Sequence, residues 1–396
     1  MKICIAGKNS IAINICEYLL LNFPEVELVG VVNKTDNGKN KFEPSFKNYL
    51  LLNNIQELDL QDVYNIDDLV FISLEFDRLI KTEKFNTQRI FNIHFSLLPE
   101  YKGMYTSALP ILHGKDYSGV SLHEIDNGID TGNLIDQIKF SIDDNETART
   151  LYYKYLKYGT DLIKNNLKSI LDCTYLSNKQ DANKSSYFSK IAIDYNNIEI
   201  NFNKTAFQVL SQVKAYTFRE YQMPQVNGIS FCKAEILDNR SIDNPGKIKY
   251  ENFTEIVVSS IDYDIRLYKD LLPVFIESCR LGNIEMVKTL IPHIFDINEK
   301  DVNGWNALMV ALYNDNREII DYLLQNNANV DVVNNNGTTC LMYAKEAALK
   351  SKDYSIIDRL LKINNSLHKK DLYGKTIFEY VKNQDFDMYN YLFLKK

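Results

Sequence analysis

Apolar and polar positions divide the chain into three stretches. As far as about residue 180, short apolar runs alternate with amphipathic ones. Residues 2–7 form an apolar run closed by Gly7, which predicts a buried strand. Residues 9–21 carry Ile11, Ile15 and Leu19 at helical spacing, with Ser10 as the cap. Strands are predicted at 26–33, 69–74, 89–95, 117–125 and 134–142, a polar loop at 35–49 and a short helix at 108–113. Residues 146–171 predict a long amphipathic helix through Leu151, Tyr155, Leu162, Leu167 and Ile170. This alternation predicts an α/β fold, a mostly parallel sheet with helices on both faces. On such sheets the active site lies outside the carboxyl ends of the strands.

The second stretch is a small α+β region. Residues 191–202 alternate as a strand does, 204–216 predict a helix through Ala206, Val209, Leu210 and Val213, and 229–237 a strand. The third stretch repeats. Asp301-Val302-Asn303-Gly304-Trp305-Asn306-Ala307-Leu308 aligns with Asn334-Asn335-Asn336-Gly337-Thr338-Thr339-Cys340-Leu341, and Asp371-Leu372-Tyr373-Gly374-Lys375-Thr376 follows. The glycines fall 33 and then 37 residues apart. This period and pattern resemble the ankyrin repeat. The resemblance implies an all-α array of three to four units from Leu271 onward, stabilised by stacking. An earlier unit lies at 282–291, and four extra residues near 349–353 account for the longer spacing. The expected domains are therefore 1–180, 181–265 and 266–396.

Composition narrows the class. With 45% hydrophobic and 24% charged residues among 396, the chain is neither mainly disordered nor collagen-like. The six cysteines are scattered without a CxxC, so neither a zinc cage nor a disulfide framework is expected. No metal is expected. A net charge of -7 argues against binding along a nucleic-acid backbone. It leaves room for one small anionic ligand. No apolar run reaches membrane-spanning length, and the first residues lack the features of a signal peptide. The expectation is a cytoplasmic protein with no membrane or nucleic-acid partner.

Three of the five histidines, His94, His113 and His123, fall within thirty residues of one another, and histidine is the side chain best suited to proton transfer near neutrality. The surrounding segment reads Phe91-Asn92-Ile93-His94-Phe95-Ser96-Leu97-Leu98-Pro99-Glu100-Tyr101-Lys102-Gly103. Asn92, His94 and Ser96 alternate and so share one strand face. Burying three polar side chains there is costly without a purpose. Downstream, Ile125-Asp126-Asn127-Gly128-Ile129-Asp130-Thr131-Gly132 reads as a loop that presents a carboxylate.

Together, N-x-H-x-S-L-L-P-x-Y-x-G and I-D-x-G-I-D-T-G-x-L-I closely resemble the tetrahydrofolate-dependent formyltransferases, over about residues 1–180. The continuation Met104-Tyr105-Thr106-Ser107-Ala108 resembles the TDP-sugar branch. The resemblance implies a Rossmann-like catalytic domain, Asn92, His94 and Asp130 as catalytic trio, N10-formyltetrahydrofolate as co-substrate and a TDP-amino sugar as acceptor. Asn92 would donate to the oxyanion that develops on the formyl oxygen. His94 would bond the same oxygen and move protons, and Asp130 would orient His94 or take the amine proton through water. Ankyrin-bearing relatives suggest TDP-3-amino-3,6-dideoxyglucose, with the 4-amino isomer next, for bacterial O-antigen or other surface glycans. Methionyl-tRNA formyl transfer, and a binding protein with a non-catalytic formyltransferase fold, are the alternatives.

Other positions carry further expectations. Tyr101 and Lys102 sit where substrate phosphates could pass, or form a solvated turn. Met104 and Tyr105 belong to the same candidate substrate surface. His123 either faces the cleft or is a satisfied core histidine, and His113 reads as a helix cap. The 181–265 region resembles the small part of sugar formyltransferases that holds the nucleotide and makes a homodimer. There Tyr221 is a candidate for stacking on thymine, or a core or interface tyrosine. Trp305, the only Trp, occupies a position that points outward from ankyrin hairpins. It is a candidate for stacking on a second ligand such as a nucleotide base, or packs on a neighbouring hairpin. The ankyrin groove would then hold a second nucleotide sugar or a protein.

Overall fold

The apolar run Lys2–Gly7 is strand β1, an interior strand of a seven-stranded sheet. Strands β2 (Glu27–Val32), β3 (Gln56–Glu57), β4 (Leu69–Leu74) and β5 (Ile90–His94) join it in parallel. After the two-residue β6 (Lys102–Gly103), β7 (Tyr117–Glu124) and β8 (Leu134–Ser141) run antiparallel. The resulting order is β3-β2-β1-β4-β5-β7-β8. Strand β4 is buried along its whole length, which is why its sequence is nearly all apolar rather than alternating. The computed structural model describes residues 1–364, 366–382 and 384–395.

Helices α1 (Asn9–Asn22), α2 (Phe46–Leu52), α3 (Leu60–Val63), α4 (Leu109–Leu112) and α5 (Ala148–Leu171) connect and cover these strands. The Thr147 and Thr150 side chains form a capping box that starts α5. Its apolar stripe, including Leu151, Tyr155, Leu162 and Leu167, is buried. The loop expected at 35–49 ends earlier than its polarity suggested. Ser45 caps α2 by accepting the Asn48 N–H, and Phe46 and Leu50 then bury on one face.

A short β9 (Tyr187–Phe188) pairs in parallel with β6. Helix α6 (Ala206–Tyr216) is opened by a Thr205–Gln208 capping box. It packs on an antiparallel sheet of β10 (Gln225–Val226), β11 (Ile229–Arg240), β12 (Ile248–Glu251), β13 (Glu255–Ser259) and β14 (Tyr263–Lys269), in the order β10-β11-β14-β13-β12. Phe231, Val258, Ile265 and Leu267 from the sheet meet Val209 and Val213 from the helix. The strand expected at 191–202 does not form. Ile193, Ile200 and Phe202 are buried anchors along irregular chain, Ile191 is exposed, and Asp194 closes a turn on the Asn196 N–H. Its apolar alternation reflects spaced anchoring rather than a pleat.

Backbone proximity groups the chain into two compact units. Met1–Lys39 and Pro44–Lys269 form the first, so the α6 sheet region belongs with the seven-stranded sheet. The second comprises Asn40–Glu43 and the chain from Asp270. It contains the helix pairs α7 (Leu272–Leu281) with α8 (Ile284–Leu290), α9 (Ala307–Tyr313) with α10 (Arg317–Gln325), α11 (Cys340–Ser351) with α12 (Ser355–Ile363), and α13 (Ile377–Val381) with α14 (Phe386–Phe393). First helices stack in succession, α7 on α9, α9 on α11 and α11 on α13.

Hydrogen bonding explains the repeated sequence. Asp301 Oδ1 accepts the N–H groups of Asn303 and Trp305. Asn334 does the same for Asn336 and Thr338, and Asp371 for Tyr373 and Lys375. Each turn then needs a left-handed residue, supplied by Gly304, Gly337 and Gly374 at φ of 84°, 77° and 74°. The four extra residues lengthen α11 relative to α9. Among the described residues, no helix is long and apolar enough to cross a membrane.

Candidate active site

Strands β5 and β7 pair so that Asn92 lies opposite His123 and His94 opposite Ser121. The pairing brings one half-buried amide and two buried imidazoles to the carboxyl end of β5. His94 Nε2 lies 2.8 Å from the Tyr101 carbonyl oxygen. A carbonyl only accepts, so Nε2 carries the proton. Nδ1 therefore faces Asp130, 3.4 Å from Oδ2. With Nε2 engaged, a His94 bond to the formyl oxygen has only Nδ1 to draw on.

Asp130 is held from several sides. Its backbone lies in the left-handed region at φ 55°, uncommon for a residue with a side chain, though Asp tolerates it better than most. Oδ2 accepts the Gly103 N–H at 2.9 Å. Gln180 Nε2 donates to the carbonyls of Asp130 and Gly132 at 2.9 and 2.7 Å. Asp126 Oδ1 accepts the Gly128 N–H and the Thr131 hydroxyl. A Cβ at Gly132 would stand 1.8 Å from the Glu124 carbonyl oxygen, which is why the loop requires glycine there.

His123 resolves into a defined partnership. Its Nδ1 lies 2.6 Å from the Glu124 carbonyl oxygen, and its Nε2 lies 3.0 Å from Asn92 Nδ2 and 3.7 Å from Asp130 Oδ1. Burial pushes its pKa down to about 4, against an opposing pull from the Asp130 carboxylate.

Ser96, expected on the Asn92–His94 face, is instead a turn former beyond the end of β5. It is fully buried and donates to the Glu100 carbonyl. Ser121 donates to the Ser96 carbonyl and accepts from the Leu98 N–H and Gln137 Nε2. These bonds fix the chain that carries the Tyr101 carbonyl to His94.

The candidate substrate residues divide. Tyr101 is buried at φ 57°, its ring stacked on Phe188 with centroids 5.4 Å apart. Its hydroxyl shares a hydrogen bond with His113 Nδ1 at 3.0 Å. Burial pushes the phenol up to about 12, and burial with Lys115 nearby lowers His113, so both stay neutral. The His113 backbone also caps α4. The Lys102 side chain is buried and its backbone pairs with β9. Met104 is exposed. The Tyr105 hydroxyl donates to the Lys190 carbonyl at 3.0 Å, and its ring meets Tyr195 edge-on. Tyr221 is 60% exposed, edge-on to Phe218 at 4.7 Å, and Phe218 leads through Tyr152 to Phe95.

A polar group not anticipated from sequence lies at the carboxyl ends of β1, β2 and β4. Asn9 Nδ2 donates to Glu75 and to the Tyr152 hydroxyl, and the Tyr152 hydroxyl donates to Glu75. Asn33 Nδ2 donates to the Glu75 carbonyl at 2.8 Å. Among the described residues, no group of three His, Cys, Asp or Glu side chains is placed to hold a metal ion.

In the second unit, Trp305 is half-buried rather than outward-pointing. Its ring lies 4.4 Å from that of Tyr343 in the next repeat and 5.6 Å from that of Tyr313. Tyr343 is in turn fixed by Asn334 Nδ2 at 2.7 Å.

The sheet order defines a mixed α/β fold with Asn92, His94 and Asp130 gathered at one end of β5, and comparison with known proteins specifies its class. Residues 56–167 match the formyl transferase family, and residues 274–371 match ankyrin repeats in three copies. The structure is similar to WlaRD, a sugar 3N-formyl transferase solved in the presence of dTDP and 5-N-formyl-THF. Identity is 44% and the TM-score 0.63, over 68% of this chain and 97% of that one. It is also similar to the N-formyltransferase of Helicobacter canadensis solved with folinic acid and dTDP-3-aminofucose, at 43% identity and TM-score 0.63, over 68% and 100% of the two chains. The methionyl-tRNA formyltransferase of Staphylococcus aureus strain MW2 is 27% identical over 222 residues, 54% of this chain and 69% of that protein. The chain belongs to the sugar N-formyltransferase family and is an enzyme of that family with ankyrin repeats in its C-terminal region.

Proposed function

We propose that this enzyme moves a formyl group from N10-formyltetrahydrofolate to the amine of a TDP-linked amino-dideoxysugar. The favoured acceptor is TDP-3-amino-3,6-dideoxyglucose, giving the 3-formamido sugar used in surface glycans. The observation that carries the reading is the convergence of Asn92, His94 and Asp130 at one strand end, with Asp130 Oδ2 anchored to Gly103 N–H and facing His94 Nδ1. The 44% identity to a sugar 3N-formyl transferase favours the 3-amine over the 4-amine. The lower identity to a methionyl-tRNA enzyme and the acidic net charge disfavour tRNA, which needs a basic face.

The chemistry follows from the donors and acceptors present. The neutral sugar amine attacks the formyl carbon, forming the new C–N bond while negative charge gathers on the formyl oxygen. An Asn92 amide N–H directed at that oxygen stabilises it; such a donor contributes about 3 kcal/mol. The attacking nitrogen loses a proton to the His94–Asp130 pair, directly or through one water. The C–N10 bond then breaks, the folate nitrogen takes up a proton, and tetrahydrofolate and the formamido sugar leave. Anchored on Gly103 and Gln180 through its side chain and backbone, Asp130 is oriented before substrate arrives. Tyr101, Lys102, Met104, Tyr105 and Tyr221 remain the proposed substrate residues, of which Met104 and Tyr221 are exposed and Tyr101 and Lys102 buried, with the Tyr101 phenol turned to His113.

The test is a formyl-transfer assay with N10-formyltetrahydrofolate and three acceptors: TDP-3-amino-3,6-dideoxyglucose, its 4-amino isomer and methionyl-tRNA. The reading expects the highest kcat/KM with the 3-amino sugar. Preference for the 4-amino sugar or for tRNA would replace it.

A further inference from the structure

His123 is buried, pairs across the sheet with Asn92, and has no assigned role. Its Nδ1 is 2.6 Å from the Glu124 carbonyl oxygen. That oxygen has no proton to give, so Nδ1 carries one. A neutral ring then has a bare lone pair on Nε2. The atom facing it at 3.0 Å is Asn92 Nδ2, an N–H donor. The carbonyl of Glu124 thus sets the ring tautomer, and the tautomer sets which end of the Asn92 amide faces the histidine.

An asparagine amide can turn over at little intrinsic cost, exchanging an oxygen for a nitrogen. Turned over, Asn92 would present an acceptor where the proposed reaction needs a donor. The carbonyl would then face the formyl oxygen and repel its developing charge. We propose that His123 is a positioning residue: as the Nδ1–H tautomer it accepts one Asn92 N–H at Nε2 and so holds the other for the formyl oxygen. The proposal rests on the reading of Asn92 as the oxyanion donor.

The surroundings keep the ring in this state. His123 is 2% exposed. The groups that act on it are the carboxylates of Asp130 and Asp126, which favour its charged form, and His94, which opposes it; burial outweighs them. A charged ring would donate from both nitrogens. It would then turn the Asn92 carbonyl inward and compete with His94 for Asp130, whose Oδ1 is 3.7 Å from Nε2.

Three variants test this. His123→Gln can place an amide oxygen near the Nε2 position and keep an acceptor. His123→Met matches the volume and removes it. Asn92→Ala removes the residue on which His123 acts. The proposal expects His123→Met to lose about tenfold or more in kcat with KM for both substrates little changed, and His123→Gln to recover most of that loss. In the Asn92→Ala background, His123→Met should cost no further rate. Ring ¹⁵N spectra of the wild type should show Nε2 unprotonated at neutral pH. A proton on Nε2, a fully active His123→Met, or an undiminished His123→Met effect in Asn92→Ala overturns the proposal. Full activity of Asn92→Ala alone would instead overturn the reading of Asn92, so the two failures are distinguishable. A role in folding alone would lower the melting temperature of Met and Gln variants without separating their kcat values.

Discussion

His94 Nε2 donates to the backbone carbonyl of Tyr101 at 2.8 Å, which directs the other ring nitrogen to Asp130. The imidazole is thus oriented by the turn after its own strand, and the turn is held by Ser96 and Ser121. Removing the ring leaves the Tyr101 carbonyl and Asp130 without this partner. His94→Ala is therefore expected to lose about a hundredfold or more in kcat, with a stability cost of about 1–3 kcal/mol. Parallel measurement of turnover and thermal melting checks this, and wild-type turnover would contradict it.

Gly132 marks the tightest approach in the Asp130 loop. An added methyl at 1.8 Å from the Glu124 carbonyl cannot be absorbed by a flexible side chain. Gly132→Ala should cost about 2 kcal/mol or more and lower kcat by displacing Asp130. Calorimetric melting and steady-state kinetics read the two effects. A variant as stable and active as wild type would show that the loop has room to move.

Trp305 packs on Tyr343 and Tyr313, so Trp305→Ala should lower the melting temperature. If the Trp also stacks on a second nucleotide, titration calorimetry with the TDP-sugar should lose one binding event in the variant. Unchanged stoichiometry and affinity would end that role and leave the packing one.

Acidification should destabilise the protein through His123. Its folded pKa, about 4, lies below the ordinary 6.5, so between these values the unfolded chain binds the extra proton. The contribution is fully present above about pH 6.5 and is lost as pH falls towards 4. Denaturant unfolding across this window should show a shallower fall in stability for His123→Gln than for wild type. Equal slopes would contradict a buried neutral His123.

The local patterns were legible where one physical cause set the spacing. Asn92 and His94 alternate because they share a strand face, and the repeats show because an Asx-type turn and a left-handed glycine recur in each. Residues 191–202 misled because anchors spaced along irregular chain mimic a pleat. Ser96 misled because its strand ends two residues earlier. Gln180 and the Tyr101 carbonyl were not legible. One lies fifty residues from the loop that it clamps, and the other is a backbone group with no sequence signature. His123 left two readings open, and the antiparallel register that sets it opposite Asn92 was not legible in either.

The most direct test of the central claim is kcat for formyl transfer to TDP-3-amino-3,6-dideoxyglucose in wild type and Asn92→Ala. The wild type should form the formamido sugar with stoichiometric release of tetrahydrofolate. The variant should fold near-normally and lose about 10²–10³ in kcat. No transfer by the wild type, or full transfer by Asn92→Ala, would contradict the account.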